Sequence, residues 1–346
     1  MTKITPFDVN WCNRPKTIAA ALLQSENHVA LIDPGPESTL KTLRDQLLTH
    51  DLKISDLNAI LLTHIHLDHA GASGKLVREN PKLKIFVHAN GARHMADPSK
   101  LIASATRLWG DQLPILFGET LPVPQENLQI LEGGETLTLG SRKLDVAYTP
   151  GHASHHVSYF DSDEGVAFIG DTGGIRIDNL PYIYPATPPP DVDLSLWDQS
   201  FKTILDRRPS KLFLTHFSYS NDPAAHIAEF HDRLHRWYST AEKSLRAATN
   251  FVAATQHEAT VHPEPRRAPL PALLTSQPAS AVSATKEIEA KIEVAALGVF
   301  IKECTAEMES KVGPAEAEHY AFTAGLDLSF RGLSRAIRKR QEAATA

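Results

Sequence analysis

Cysteine is scarce in this chain: 346 residues hold only Cys12 and Cys304. They lie far apart and in no ligand-like spacing, which argues against a disulfide framework. Long apolar runs are missing too. No segment approaches the roughly 20 apolar residues needed to span a bilayer, so no membrane partner is expected. Positive charge is not in excess, since Asp and Glu outnumber Lys and Arg by 41 to 35 and the formal charge is -6. That balance argues against a nucleic-acid-binding surface spread over the whole protein. The opening residues, Met1 to Asp8, lack the apolar core of a secretion signal, and cytoplasmic residence is the expectation. No internal repeat is visible. The length suits one large domain, or one domain with a substantial appendage.

Histidine, by contrast, is plentiful at 17 residues, and its clustering matters more than its number. The run Ile60-Leu61-Leu62-Thr63-His64-Ile65-His66-Leu67-Asp68-His69 places four metal-capable side chains within six positions at the end of an apolar strand. Alternation along an extended chain points His64 and His66 to one side. A turn into a helix after the strand can bring Asp68 and His69 back beside them. A lone His would read as a surface or hydrogen-bonded core residue. Crowding four such groups without compensation would be costly. Three imidazoles and a carboxylate suit zinc, manganese or iron.

The rest of the chain alternates strands with helices, the rhythm of an α/β domain. Strands are expected at Thr17–Leu23 and His28–Ile32, the second stopped by Asp33-Pro34-Gly35-Pro36. Asp33 is either a turn residue or a brace for the metal loops. A helix follows over Glu37–His50, another over Gly71–Glu79, and a short strand at Ile85–Val87. Residues 89–127 read as an insertion able to wall a cleft, with His88, His94, Arg107 and Trp109 as candidate substrate contacts, although ordinary loop and core packing is the better explanation of each. Short strands then run from Leu128 to Ile169. Helices are expected over Leu194–Leu205 and from Ala224 to Tyr238, with a second piece towards Ala254. Residues 1–260 form the main α/β domain in this reading, 261–283 a Pro-rich linker or loop, and 284–346 a C-terminal helical region. That region would be a cap or a dimerisation element, because its segments are too short to be stable alone.

Three further strand ends carry candidate ligands: His152, Asp171 and His216. Strand-end loops of layered α/β folds gather on one rim, so these can converge with the first cluster. Two ions held about 3.5–4 Å apart need such a set of imidazoles and a carboxylate able to bridge.

In this order and spacing, across roughly residues 17–220, the sequence closely resembles the metallo-β-lactamase-fold hydrolase superfamily. The matching elements are His64-Ile65-His66-Leu67-Asp68-His69, Gly151-His152, Gly170-Asp171 and Thr215-His216. The resemblance implies a four-layer αββα sandwich, here with a C-terminal helical extension. It implies that His64, His66 and His152 hold one divalent ion, that Asp68, His69 and His216 hold a second, and that Asp171 bridges. Asp rather than Cys at 171 favours the two-metal hydrolase branches over the antibiotic-hydrolysing enzymes. His66, where oxygen-reducing diiron relatives carry Glu, argues against an oxidoreductase. Zinc is the first expectation for both ions, with manganese or iron as alternatives. The ions would lower the pKa of a shared water and supply a bridging hydroxide near neutral pH. Asp68 is the candidate to orient it and pass a proton to the leaving group. His156 is the second catalytic candidate, either supporting the site from behind or facing substrate. His155 is assigned no role. The expected substrate is a small molecule, a carboxylic ester, thioester or lactone. The alternative is a phosphodiesterase or nuclease of the same fold, which the acidic composition disfavours.

Overall fold

The computed structural model describes residues 2–261 and 281–345. Two six-stranded mixed sheets lie face to face, with helices outside each, which is the αββα sandwich expected. The first sheet holds β1 (Thr2–Asp8), β2 (Ala19–Ser25), β3 (His28–Ile32), β4 (Ala59–Leu61), β5 (Lys84–His88) and β6 (Leu128–Leu131), in that order. The second holds β7 (Thr136–Leu139), β8 (Arg142–Tyr148), β9 (Val157–Asp161), β10 (Val166–Phe168), β11 (Lys211–Leu214) and β12 (Ser218–Ser220), also as neighbours in sequence.

The central strands of the first sheet are apolar on both faces because both faces are covered. Along β2, Ala19, Ala21 and Leu23 point into the core between the sheets, while Ala20 and Leu22 point to the helices. Strand β4 and its extension repeat this, with Ala59 and Leu61 inward and Ile60 and Leu62 outward. A period of two on a doubly covered sheet gives a continuous apolar run rather than an alternating one.

The helices over the first sheet are α1 (Leu40–Leu48), α2 (Leu67–Ala70), α3 (Ser73–Glu79), α4 (Ala89–Ala96), α5 (Ser99–Trp109) and α6 (Leu113–Phe117). Over the second sheet lie α7 (Leu194–Asp206), α8 (Pro223–Val261), α9 (Ala281–Val312), α10 (Pro314–Ala324) and α11 (Leu326–Thr345). Helix α8 runs unbroken for 39 residues, longer than the two pieces expected. After Pro223 at its first position it contains neither Gly nor Pro to stop it. Strand β1, unanticipated from sequence, is an edge strand, where Pro6 is tolerated. Most of the expected 261–283 linker lies outside the described residues.

Phe300, Tyr320, Phe330 and Leu333 from the C-terminal helices are fully buried in the same apolar cluster as Trp197, Leu212 and Leu214. Helix α11 approaches so closely that a Cβ on Gly332 would sit 1.9 Å from the Thr187 carbonyl oxygen. Gly298 of α9, by contrast, faces open space. Gly332→Ala should therefore destabilise the protein by about 1–3 kcal/mol through overpacking. Gly298→Ala should stabilise it by about 0.5–1 kcal/mol through helix propensity alone. Chemical denaturation of the two variants distinguishes them by sign.

Candidate metal centre

Strand β4 ends at Leu61, three residues before His64, so the convergence of His64 and His66 is the work of a loop rather than of the strand pleat. His66 sits at the N-terminal boundary of α2 in extended geometry, and the single turn that follows swings Asp68 and His69 back over the loop. His152 follows β8, Asp171 follows β10 and His216 follows β11. All seven expected ligands meet at one end of the sandwich.

They form two groups. His64 Nε2 lies 2.9 Å from His66 Nδ1, which lies 3.0 Å from His152 Nε2. Beside them, His69 Nε2 and His216 Nε2 are 3.3 Å apart, with Asp68 Oδ2 3.7 Å from the first and 3.4 Å from the second. Asp171 stands between the groups. Its Oδ2 is 3.4 Å from His152 Nε2, and its Oδ1 is 3.1 Å from His69 Nε2 and 3.5 Å from His216 Nε2.

The outward nitrogens settle how these rings are presented. His152 Nδ1 donates to the Ala186 carbonyl at 2.9 Å and His216 Nδ1 to the Thr17 carbonyl at 2.7 Å. A carbonyl only accepts, so those nitrogens carry the protons and, in the neutral rings, the inward nitrogens present lone pairs. His69 Nδ1 is held by Asp33 Oδ2 at 2.8 Å. Inward lone pairs packed at about 3 Å repel one another unless a cation or protons lie between them. Asp171 Oδ1, buried with no hydrogen bond, completes a donor set that fits two divalent ions.

Asp33 decides between its two readings. Its Oδ1 accepts from the Thr63 amide at 2.8 Å, and its Oδ2 from Thr63 Oγ1 at 2.7 Å and Thr215 Oγ1 at 2.9 Å, besides His69. It is a brace, fully buried beneath both ligand loops.

Charge divides the rings. Burial lowers the pKa of His64, His66 and His152, that of His66 to about 4, and neighbouring rings add to the effect for His64 and His66. Burial also works against charge on His69, but Asp171, Asp68 and Asp33 reverse it and raise that ring well above its ordinary value. His216 is raised likewise, burial being overcome chiefly by Asp171 and Asp68. Burial alone would push Asp68 up, yet His69 and His216 hold it down at about 2.

A cavity of about 750 Å³ opens over the cluster, with His66, Asp68, His152, Asp171 and His216 on its floor. His94, Arg107 and Trp109 line it, as the insertion reading suggested, whereas His88 is buried and stacks on Tyr148 with centroids 4.4 Å apart. Of the two readings of His156, the geometry agrees with support from behind rather than with a face towards substrate: it is fully buried, stacks behind His64 at 5.1 Å, has its Nδ1 3.0 Å from Thr149 Oγ1, and does not line the cavity. His155, given no role from sequence, does line the cavity. Nothing in the run His155-His156 marks which ring faces out. The close approach at Gly170, where a Cβ would meet His156 Nε2 at 2.7 Å, fits His156 being the enclosed one. A third group, Asp198, His231 and His235, lies half-exposed on α7 and α8 and lines no part of the cavity.

Residues 14–216 match the family model described as the metallo-beta-lactamase superfamily. Among curated proteins, the metallo-beta-lactamase fold-containing protein ST1585 of Sulfurisphaera tokodaii is 27% identical over 206 residues, 58% of this chain and 73% of that protein. The hydroxyacylglutathione hydrolase of Aeromonas salmonicida is 32% identical over 151 residues, and the match spans 44% of each chain, less than half of that enzyme. Among solved structures, the ST1585 protein from Sulfolobus tokodaii superposes with a TM-score of 0.56 at 21% identity, covering 86% of this chain and 98% of that one. TTHA1429 from Thermus thermophilus gives a TM-score of 0.55 at 23% identity, covering 71% and 82%. At these identities the two structures speak for the fold alone.

Two outcomes are expected of the centre. The carboxylates around His69 and His216 favour their protonated forms, and a cation requires the neutral rings, so metal uptake near neutral pH should release protons and affinity should rise with pH. Calorimetric titration of the metal-free protein in two buffers of unlike ionisation enthalpy measures the release; a buffer-independent heat would contradict it. Asp33→Asn should weaken ion retention by roughly 10–100-fold, as chelator competition would read, because His69 loses its orienting carboxylate.

Proposed function

Because the chain belongs to the metallo-β-lactamase superfamily, we propose that it is a binuclear metal-dependent hydrolase of carboxylic esters, thioesters or lactones. The observation that carries this is the pair of inward-facing ligand groups sharing Asp171 on the floor of a cavity with apolar walls. His64, His66 and His152 would hold one ion and Asp68, His69 and His216 the other, with zinc first and manganese or iron as alternatives. Ions bound there would lower the pKa of a bound water and offset charge developing on the attacked oxygen.

The chain's own groups do the rest. Asp68 lines the cavity and is partly exposed, with its Oδ2 turned to His69 and His216. Its Oδ1 is then the atom to orient the attacking water and carry a proton towards the leaving group. Leu101, Leu108, Phe117 and Leu328 supply apolar surface for an acyl body and displace water from around it. Thr323 and Leu328 line the cavity from the C-terminal side, which supports reading the final helices as a cap. The Aeromonas relative is named for hydrolysis of a hydroxyacyl conjugate of glutathione, which supports the acyl-transfer reading over the phosphodiester one.

Elemental analysis of protein purified without added metal should find two ions per chain. A panel of thioesters, lactones, carboxyl esters and bis(p-nitrophenyl) phosphate should show turnover on the first three. Asp171→Ala should lower that turnover by more than about 100-fold and lose at least one ion. Turnover confined to the phosphodiester would replace this reading with the nuclease-type one, and wild-type rate with both ions in Asp171→Ala would sink the assignment.

A further inference from the structure

The cavity wall built by α5 is two-sided. Leu101, Ala105 and Leu108 recur at i, i+4 and i+7 and form a half-buried to buried apolar stripe. Lys100, Ser104 and Arg107 recur at the same spacing one position earlier, and the two cations are exposed. Arg93, from α4, lines the same cavity and donates from Nε to His94 Nε2 at 3.2 Å. Among the described residues, none of these three cations forms an ion pair. The acids that share the cavity are otherwise engaged: Asp68 and Asp171 belong to the ion cluster, and Asp191 accepts from the Ser154 hydroxyl.

Unpaired cations on a helix ordinarily mark a solvated face. These three stand instead beside an apolar stripe over a walled cavity, in a chain whose net charge is -6. The acids lie at the cluster and at Asp191, so the wall formed by α4 and α5 is locally cationic, and a local field of one sign beside low-dielectric surface attracts counter-ions. We propose that the substrate is an amphipathic anion: an ester or thioester with an apolar body along Leu101, Ala105 and Leu108, and a phosphate or carboxylate, remote from the scissile bond, held by Arg93, Lys100 and Arg107. This rests on the hydrolase reading above and adds the charge of the substrate to it. A polynucleotide fits less well, because proteins that track its backbone contact about 6–10 phosphates, and this wall offers three cations.

Binding, rather than turnover, tests the idea. Octyl phosphate, octanoate and octanol are titrated calorimetrically into the metal-loaded protein and into a variant carrying Arg93→Gln, Lys100→Gln and Arg107→Gln. Metal content and far-ultraviolet circular dichroism confirm that the variant is intact. The expected result is tighter binding of the anions than of octanol, lost by roughly 10–100-fold in the variant and in high salt, with octanol unmoved. A preference for octyl phosphate over octanoate would identify phosphate as the anion, and the reverse carboxylate. Anion affinity that the variant leaves unchanged would locate the charge on the metal ions and overturn the proposal. So would anions binding no better than octanol, or a short oligonucleotide binding more tightly than octyl phosphate. In each of those cases ester turnover by the wild type would still stand, so failure here is separable from failure of the hydrolase reading.

Discussion

One buried carboxylate ties the two halves of the sandwich together where the chemistry would occur. Asp33 follows β3 in the first sheet, and its oxygens accept from Thr63, which precedes His64, and from Thr215, which precedes His216 in the second sheet. The same residue holds His69. Hydrogen bonds to a charged group are worth about 1.5–3 kcal/mol each, and leaving such a charge buried without them costs more. The arrangement is therefore held or lost as a unit. Backbone contacts reinforce it across the same seam: the Ala19 amide donates to the Thr215 carbonyl at 2.8 Å, and the Val157 amide to the Thr63 carbonyl at 2.8 Å. Relative motion of the sheets would shear these bonds, so the ligand loops share one rigid base.

That base carries an excess of negative charge. Asp33, Asp68 and Asp171 lie close together, and two of the five inward rings are drawn towards the protonated state, His69 by Asp171, Asp68 and Asp33 and His216 by Asp171 and Asp68. His64, His66 and His152 are kept neutral by burial. The asymmetry means that one group is ready to accept a cation, whereas the other must first give up protons. A protein whose carboxylates were meant only to stabilise imidazolium ions would gain little from aiming five ring nitrogens at shared space, since buried ion pairs are weak contributors to stability.

How much of this was legible beforehand depended on whether the signal was local. The run from His64 to His69 declares itself, because metal-capable side chains at that density repel or desolvate one another unless an ion holds them. His152, Asp171 and His216 were found because each stands at the end of an apolar strand, and strand ends converge in a layered fold. His155 and His156 could not be ranked, since adjacent residues in an irregular loop have no period to say which faces inward. The role of Asp33 was equally opaque: its partners are 30 and 182 residues away, and no spacing rule reaches that far. Helix α8 runs through the expected break after Tyr238 because no Gly or Pro interrupts it there and Ala241 and Ala248 beyond the break are buried in the same apolar cluster as Trp237.

The C-terminal helices show why a boundary drawn by composition need not be a boundary in energy. Tyr320 Oη donates to the Tyr182 carbonyl at 2.7 Å, Thr187 Oγ1 to the Ser329 carbonyl at 3.1 Å, and Gly332 lets α11 lie against Thr187. The segment so held, residues 182–190, includes Ala186, whose carbonyl fixes the tautomer of His152, and the prolines that line the cavity. The last helices thus orient the His152 ring through one intervening segment while Thr323 and Leu328 line the cavity beside it. Removing them would strip the buried surface of Phe300, Phe330 and Leu333 from the second sheet and free the His152 support in the same step. Fold stability and site geometry are inseparable on this side of the molecule. The wall bearing Lys100 and Arg107 is different, because it belongs to an insertion whose exposed side chains can change without disturbing either core.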